Sequence, residues 1–131
     1  VSKSDPKRRK RQKAQEYFQK AADIYIGREK MQDAEEVLNE ILEISPDSVN
    51  VFNSLGVLYR RKGDLKTALS HYHKALKVHP RESHIHYNIG RLYFDMKQPD
   101  SARSYFEKAL KLDPGFDDAR DVLNAMELGS M

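Results

Sequence analysis

Cysteine and tryptophan are both absent from this chain of 131 residues. Without cysteine there are no disulfide frameworks, no thiolate zinc sites and no cysteine nucleophiles. Long apolar runs are missing too: none approaches the roughly 20 residues needed to cross a bilayer. The polar, basic opening from Val1 has no apolar core of a signal peptide. A start on Val rather than Met suggests a piece of something longer or a processed product. The expected compartment is the cytoplasm. Proline is scarce, five in all, and the placement of three of them organises the rest of the reading.

Hydrophobic residues make up 39% of the chain and charged residues 33%, enough for one domain with a continuous core. The net charge of +3 hides a division. Residues 3–13 hold seven Lys or Arg against one Asp, which leaves 16 basic and 19 acidic residues from Ala14 onward. The basic character therefore belongs to a short arm, and the body is mildly acidic. A reading of the whole protein as a basic nucleic-acid binder is weakened accordingly.

Pro46, Pro80 and Pro114 are spaced by 34 and again 34 residues. The same interval relates Tyr25, Tyr59 and Tyr93; Ala34, Ala68 and Ala102; and Gly56 and Gly90, with Ala22 in that column of the first copy. Tyr72 and Phe106 share an aromatic column with Leu38, and Ala75 and Ala109 a small-residue column with Ile41. A fixed period of this length is the mark of a stacked repeat. Within the second copy, Val51, Phe52, Leu55, Leu58 and Tyr59 recur at helical spacing, Lys62-Gly63-Asp64 breaks the pattern, and Leu65, Ala68, Leu69, Tyr72, Ala75 and Leu76 form a second stripe. Pro80 follows where a helix cannot continue. The third copy repeats this, with Pro99 suited to a first helical position and Asp100 to a first turn.

The Gly–Tyr–Ala–aromatic–Ala–Pro pattern at this period resembles the tetratricopeptide repeat. The copies fall at about 15–48, 49–82 and 83–116, after a basic arm at 1–14 and before a helix and tail at 117–131. Copy one departs from the family at Ala22, Leu38 and Ile41; copies two and three depart at Phe52 and His86, where the family often has Trp. The resemblance implies an all-α fold: a right-handed α-solenoid of three helix pairs, with a concave groove built from the first helix of each pair. Residues 117–128 have the composition of a C-terminal capping helix, with Ala119, Val122, Leu123 and Met126 on one side. They could equally open a fourth copy.

No catalytic constellation is present: no Gly-rich phosphate loop, no GxSxG elbow and no HExxH. His71 and His73, and His84 and His86, are spaced i, i+2 on expected helices, which sends each pair in different directions rather than onto one ion. His79 has no such neighbour, and His86 shares a column with Phe52, so burial is its plain reading. The expectation is a non-enzymatic interaction module without cofactor, metal or small-molecule substrate, and either monomeric or weakly self-associating.

By the resemblance, the concave face takes Gln19, Asp23, Glu16 and Ile26 from copy one. Copy two supplies Asn50, Asn53, Val57, Arg60 and Arg61, copy three His84, Tyr87, Arg91 and Phe94, and the last helix adds Asp118 and Asp121. Asn side chains both donate and accept hydrogen bonds to an extended peptide. Arg60 and Arg91 can fork onto carboxylates, and Val57, Tyr87 and Phe94 offer apolar anchoring. The expected ligand is a peptide or partner protein. Family members that hold chaperone C-terminal tails use a clamp of Lys, Asn, Asn, Lys and Arg; Gln19, Asp23, Ser54, His84 and Asn88 stand at those positions here. None keeps the required residue, and Asp23 would repel the tail's carboxylate.

The basic arm, Lys7, Arg8, Arg9, Lys10, Arg11 and Lys13, allows three readings. Asp5-Pro6 has the look of an N-cap and a first helical position, so residues 6–27 would form one long helix. Otherwise the arm is a flexible linker or a segment lying on anionic lipid. An electrostatic tether to nucleic acid or anionic membrane is the alternative function, though no aromatic interleaves the cations for base stacking.

Overall fold

The computed structural model describes residues 6–28 and 30–129, so the reading of Asp5 as a cap and of the last two residues as a tail lies outside the described residues. Seven helices and no strand occur among the described residues: α1 (Pro6–Gly27), α2 (Met31–Ile44), α3 (Val49–Lys62), α4 (Leu65–Val78), α5 (Ser83–Asp95), α6 (Pro99–Leu112) and α7 (Asp117–Glu127). They make an all-α solenoid. Helices pair as α1 with α2, α3 with α4 and α5 with α6, and each pair packs on the next through α2 with α3, α4 with α5 and α6 with α7. The first helices also touch one another directly, α1 against α3 and α3 against α5. That second set of contacts creates the face on which a ligand could lie.

Local chemistry accounts for the helix ends. The Ser48 hydroxyl accepts from the Val51 N–H at 3.3 Å, and Asp64 accepts from the Thr67 N–H at 3.2 Å, so α3 and α4 both start on side-chain caps. Pro99 opens α6 where its missing N–H is no loss. Each first helix closes in the same way: the N–H groups of Lys30, Asp64 and Gln98 return to the carbonyls of Tyr25, Tyr59 and Tyr93. This closure needs a left-handed residue. Gly63 supplies it at φ 84°, while Lys97 adopts φ 62° at the matching place in the next unit.

The core follows the repeat columns. Ala22, Leu38, Ile41, Val51, Leu55 and Leu58 form one buried cluster between the first two pairs. Ala68, Tyr72, Ala75, Ile85, Ile89 and Leu92 form the next. Phe116 and Ala119 continue the interior with Ala109, so α7 covers the end of the third pair. Size matching within each pair is tight. A Cβ on Gly56 would fall into the Tyr72 ring, and one on Gly90 would lie 2.6 Å from Phe106 Cε1. Copy one, with Ala22 in place of Gly, has the smaller Leu38 in place of the ring, and both are fully buried. Its departure from the pattern is a complementary exchange of volume.

Candidate interaction groove

The first helices of successive pairs are linked by hydrogen bonds at one sequence offset. Gln19 Nε2 donates to Ser54 Oγ at 2.6 Å, Asn88 Nδ2 to Asn53 Oδ1 at 2.7 Å, and Arg60 Nε to Asp95 Oδ2 at 2.6 Å. In each case the partners are 35 residues apart, one more than the repeat, so contacts run from one column to its neighbour. Gln19–Ser54 and Asn53–Asn88 are successive rungs of a single ladder. The next rung in register is Tyr87 and Val122, where the ladder turns from polar to apolar.

Among the described residues, open recesses lie along these helices, and three of them bear on recognition. The first, of about 330 Å³, is lined by Gln12, Glu16, Gln19, Lys20 and Asn50. A second, of about 210 Å³, is lined by Asp23, Gly27, Asn53, Ser54, Val57 and Arg61. The third, of about 240 Å³, is lined by Arg60, Tyr87, Arg91, Phe94, Asp95, Phe106 and Val122. Eleven of the fifteen concave-face residues named from the sequence therefore line one of the recesses. Of the other four, His84 stands instead against Phe116, ring centroids 4.8 Å apart. Asp118 and Asp121 are exposed, and it is Val122 that α7 contributes to the third recess. The side chains of Ile26 and Lys10 lie outside the described residues.

The recesses differ in chemistry. In the first two, polar groups hold one another: Gln19 also donates to Asp23 at 3.1 Å, and Gln19 Oε1 is buried with no hydrogen-bond partner among the described residues. The third is aromatic. The Tyr87 ring packs on Phe106 at 5.5 Å and on Phe116 at 5.1 Å, which makes a tilted cluster spanning α5, α6 and the start of α7. Arg91 lies over the Tyr87 ring at 5.9 Å and makes no ion pair among the described residues. Arg60, expected from the sequence to be an open carboxylate receptor, is already held by Asp95. Of the two arginines, Arg91 has the available charge.

A separate network ties α2, α3 and α4 together. Tyr59 donates to Glu35 at 2.5 Å, Lys62 reaches the other carboxylate oxygen at 3.3 Å, and His71 stacks on the Tyr59 ring at 5.4 Å. The Tyr59 hydrogen bond, helped by Lys62, holds the Glu35 carboxyl below its ordinary range, and the same bond pushes the Tyr59 phenol up to about 12. Burial and nearby Lys74 lower His71. Tyr93 and Tyr105 repeat the stack one unit later at 5.5 Å. None of these groups lines the three recesses. No cluster of three or more His, Asp or Glu suited to a metal ion occurs among the described residues. Among them, too, no helix is long and apolar enough to cross a membrane.

The sequence reading missed Asp95, Phe106 and Val122 as recess walls. Asp95 shares a column with Arg61, itself named from the sequence, and that was the available signal. Comparison with known proteins gives a consistent outcome. Two models of the tetratricopeptide repeat match, one over residues 47–114 and one over 15–48. No curated protein matches by sequence. Among solved structures, an O-GlcNAc transferase mutant from Thermobaculum terrenum is similar at TM-score 0.79 and 21% identity, covering 92% of this chain and 22% of that one. The chain thus spans about a fifth of that enzyme's length. The first TPR of Spaghetti, bound to an HSP90 peptide, is similar at TM-score 0.78 and 15% identity, covering 89% and 93%. The Yersinia enterocolitica type III secretion chaperone SycD, in complex with a peptide of the translocator YopD, is similar at 0.76 and 16%, covering 88% and 94%. At these identities the likeness shows the fold alone.

Proposed function

Because the chain belongs to the tetratricopeptide-repeat family, we propose that it is a non-enzymatic interaction module whose concave face holds a peptide or a segment of a partner protein. Repeats of this family are generally non-catalytic interaction modules, and two structural neighbours are complexes with peptides. The observation that carries the reading is the third recess, where Tyr87, Phe94, Phe106 and Val122 lie with Arg91, which has no carboxylate partner among the described residues. Such a site takes an apolar side chain next to an acidic group. The polar rungs alongside suit an extended backbone: Asn53 and Asn88 each use one half of the amide on the other and keep the second half for a ligand. Buried Gln19 Oε1 is an acceptor that a ligand N–H would satisfy. The surface is preformed, which limits the ordering cost of binding.

A chaperone-tail ligand does not suit these positions. Gln19, Asp23 and Ser54 are bonded to one another, His84 is against Phe116, and Asn88 is engaged with Asn53. None is a cation, and Asp23 adds negative charge where a tail would bring its carboxylate. The reading is tested by selecting peptides from a displayed random library on the intact chain and measuring their affinity for Tyr87→Ala and Arg91→Glu variants. Selected peptides should be enriched in an apolar residue beside Asp or Glu, and should bind both variants at least ten times more weakly. Peptides that bind the variants unchanged would refute it.

A further inference from the structure

The first helix is longer than its fold requires. In register with α3, which starts at Val49, α1 would start at residue 15; it starts at Pro6 and runs for 22 residues against 14 in α3. The added turns extend about 13 Å. Every described side chain from Pro6 to Lys13 is exposed, including Lys7, Arg8, Arg9, Arg11 and Lys13. The extension projects beyond the register shared by the other first helices, with Gln12 lining the first recess near its base.

Its charges are placed against the helix's own interest. The first turn of α1 contains no acidic residue, although the N-terminal end of a helix carries partial positive charge and favours anions. Lys7 and Arg11, and Arg9 and Lys13, are like charges at i, i+4, a spacing that destabilises an isolated helix. At 3.6 residues per turn the cations occupy positions all round the axis. A membrane surface or a single acidic strand would meet one side of such a rod only. No apolar residue lies between Pro6 and Lys13 to enter lipid. The major groove of B-form DNA, roughly 12 Å wide and walled by phosphates on both sides, admits a helix and surrounds it with negative charge.

We propose that the cationic extension of α1 seats in the major groove of duplex DNA and binds its phosphates without sequence preference. The body, with its excess of acidic residues, stays clear of the polyanion, so contact is confined to the extension. This inference is independent of the peptide groove and would survive its failure.

The test is fluorescence anisotropy of a labelled 20-base-pair duplex with the intact chain and with an Arg8→Gln, Arg9→Gln, Arg11→Gln variant. Poly-glutamate and phosphatidylserine vesicles serve as competitors at equal charge concentration, and circular dichroism checks the fold. The expected result is duplex binding at 50 mM salt that weakens roughly 10²- to 10³-fold by 200 mM, as contact with about five phosphates dictates. Binding should weaken at least tenfold in the triple variant and be unaffected by Arg91→Glu. No duplex binding at 50 mM salt, equal binding by the triple variant, or stronger competition by poly-glutamate or vesicles would each overturn the proposal.

Discussion

Arg60 on α3 and Asp95 on α5 meet at 2.6 Å on the inner face of the solenoid, and their bond joins the second helix pair to the third. Both side chains keep about a quarter to a third of their exposure, at 26% and 33%, so the pair adds only about 0.2–1 kcal/mol. Its larger consequence concerns recognition: it occupies one arginine of the third recess and leaves Arg91 as the available cation.

A division of labour between the two arginines follows. Arg91→Glu should weaken an acidic peptide ligand at least tenfold while far-ultraviolet circular dichroism stays unchanged. Arg60→Ala should lower stability by no more than about 1 kcal/mol and reduce ligand affinity less than Arg91→Glu does. Isothermal titration of both variants checks this; the reverse ranking would contradict the assignment.

Gly56 and Tyr72 form a size-matched pair whose counterpart in the first unit is Ala22 and Leu38. Gly56→Ala should destabilise by about 1–3 kcal/mol through overpacking against the ring, even though Ala is the better helix former. Adding Tyr72→Leu should recover part of that loss, because the double variant reproduces the first unit's own pair. Urea unfolding of the two single variants and the double variant measures the coupling. Strictly additive losses would count against the volume argument.

Lys97 adopts a left-handed conformation in which Gly63 serves in the preceding unit. Lys97→Gly should therefore stabilise the chain by about 0.5–1 kcal/mol, and Gly63→Ala should destabilise it by a similar amount. Thermal melts of the two variants are the check, with opposite shifts expected.

Stability should fall on mild acidification. His71 is lowered below its ordinary 6.5 by burial and by Lys74, with Glu35 opposing, while the Tyr59 ring stacks on it. The unfolded chain therefore takes up a proton that the folded chain resists, and stability is lost as pH drops below about 6.5. Glu35 adds a second loss below its ordinary 4.5, because its folded carboxyl is held lower. Melting temperature measured at pH 7.5 and 5.5 should drop less in His71→Phe than in the parent chain.

The solenoid was legible because each unit repeats its own packing: the Gly, Ala, Tyr and Pro columns mark where backbones touch and where helices stop. The inner stripe was legible for the same reason, since helical spacing groups Asn53, Val57 and Arg60, or Tyr87, Arg91 and Phe94. What escaped depends on contacts between columns. Arg60 meets Asp95 at an offset of 35 residues, which alignment of equivalent positions at 34 does not bring together. Val122 was read with the covering side of α7 and turned out to wall the third recess. Lys97 escaped because a left-handed lysine leaves no mark like that of Gly63. Whether the arm was helical stayed open because its like charges oppose the very helix they occupy.

The most direct test of the central claim is a nitrogen–proton correlation spectrum of the labelled chain, titrated with a peptide selected on it. Recognition by the inner face predicts that amides of Asn53, Val57, Tyr87, Arg91, Phe94 and Val122 shift together, while those of His73 and Lys77 on α4 and Glu107 on α6 stay in place. Shifts concentrated on α4 and α6, with Tyr87 and Arg91 silent, would contradict it.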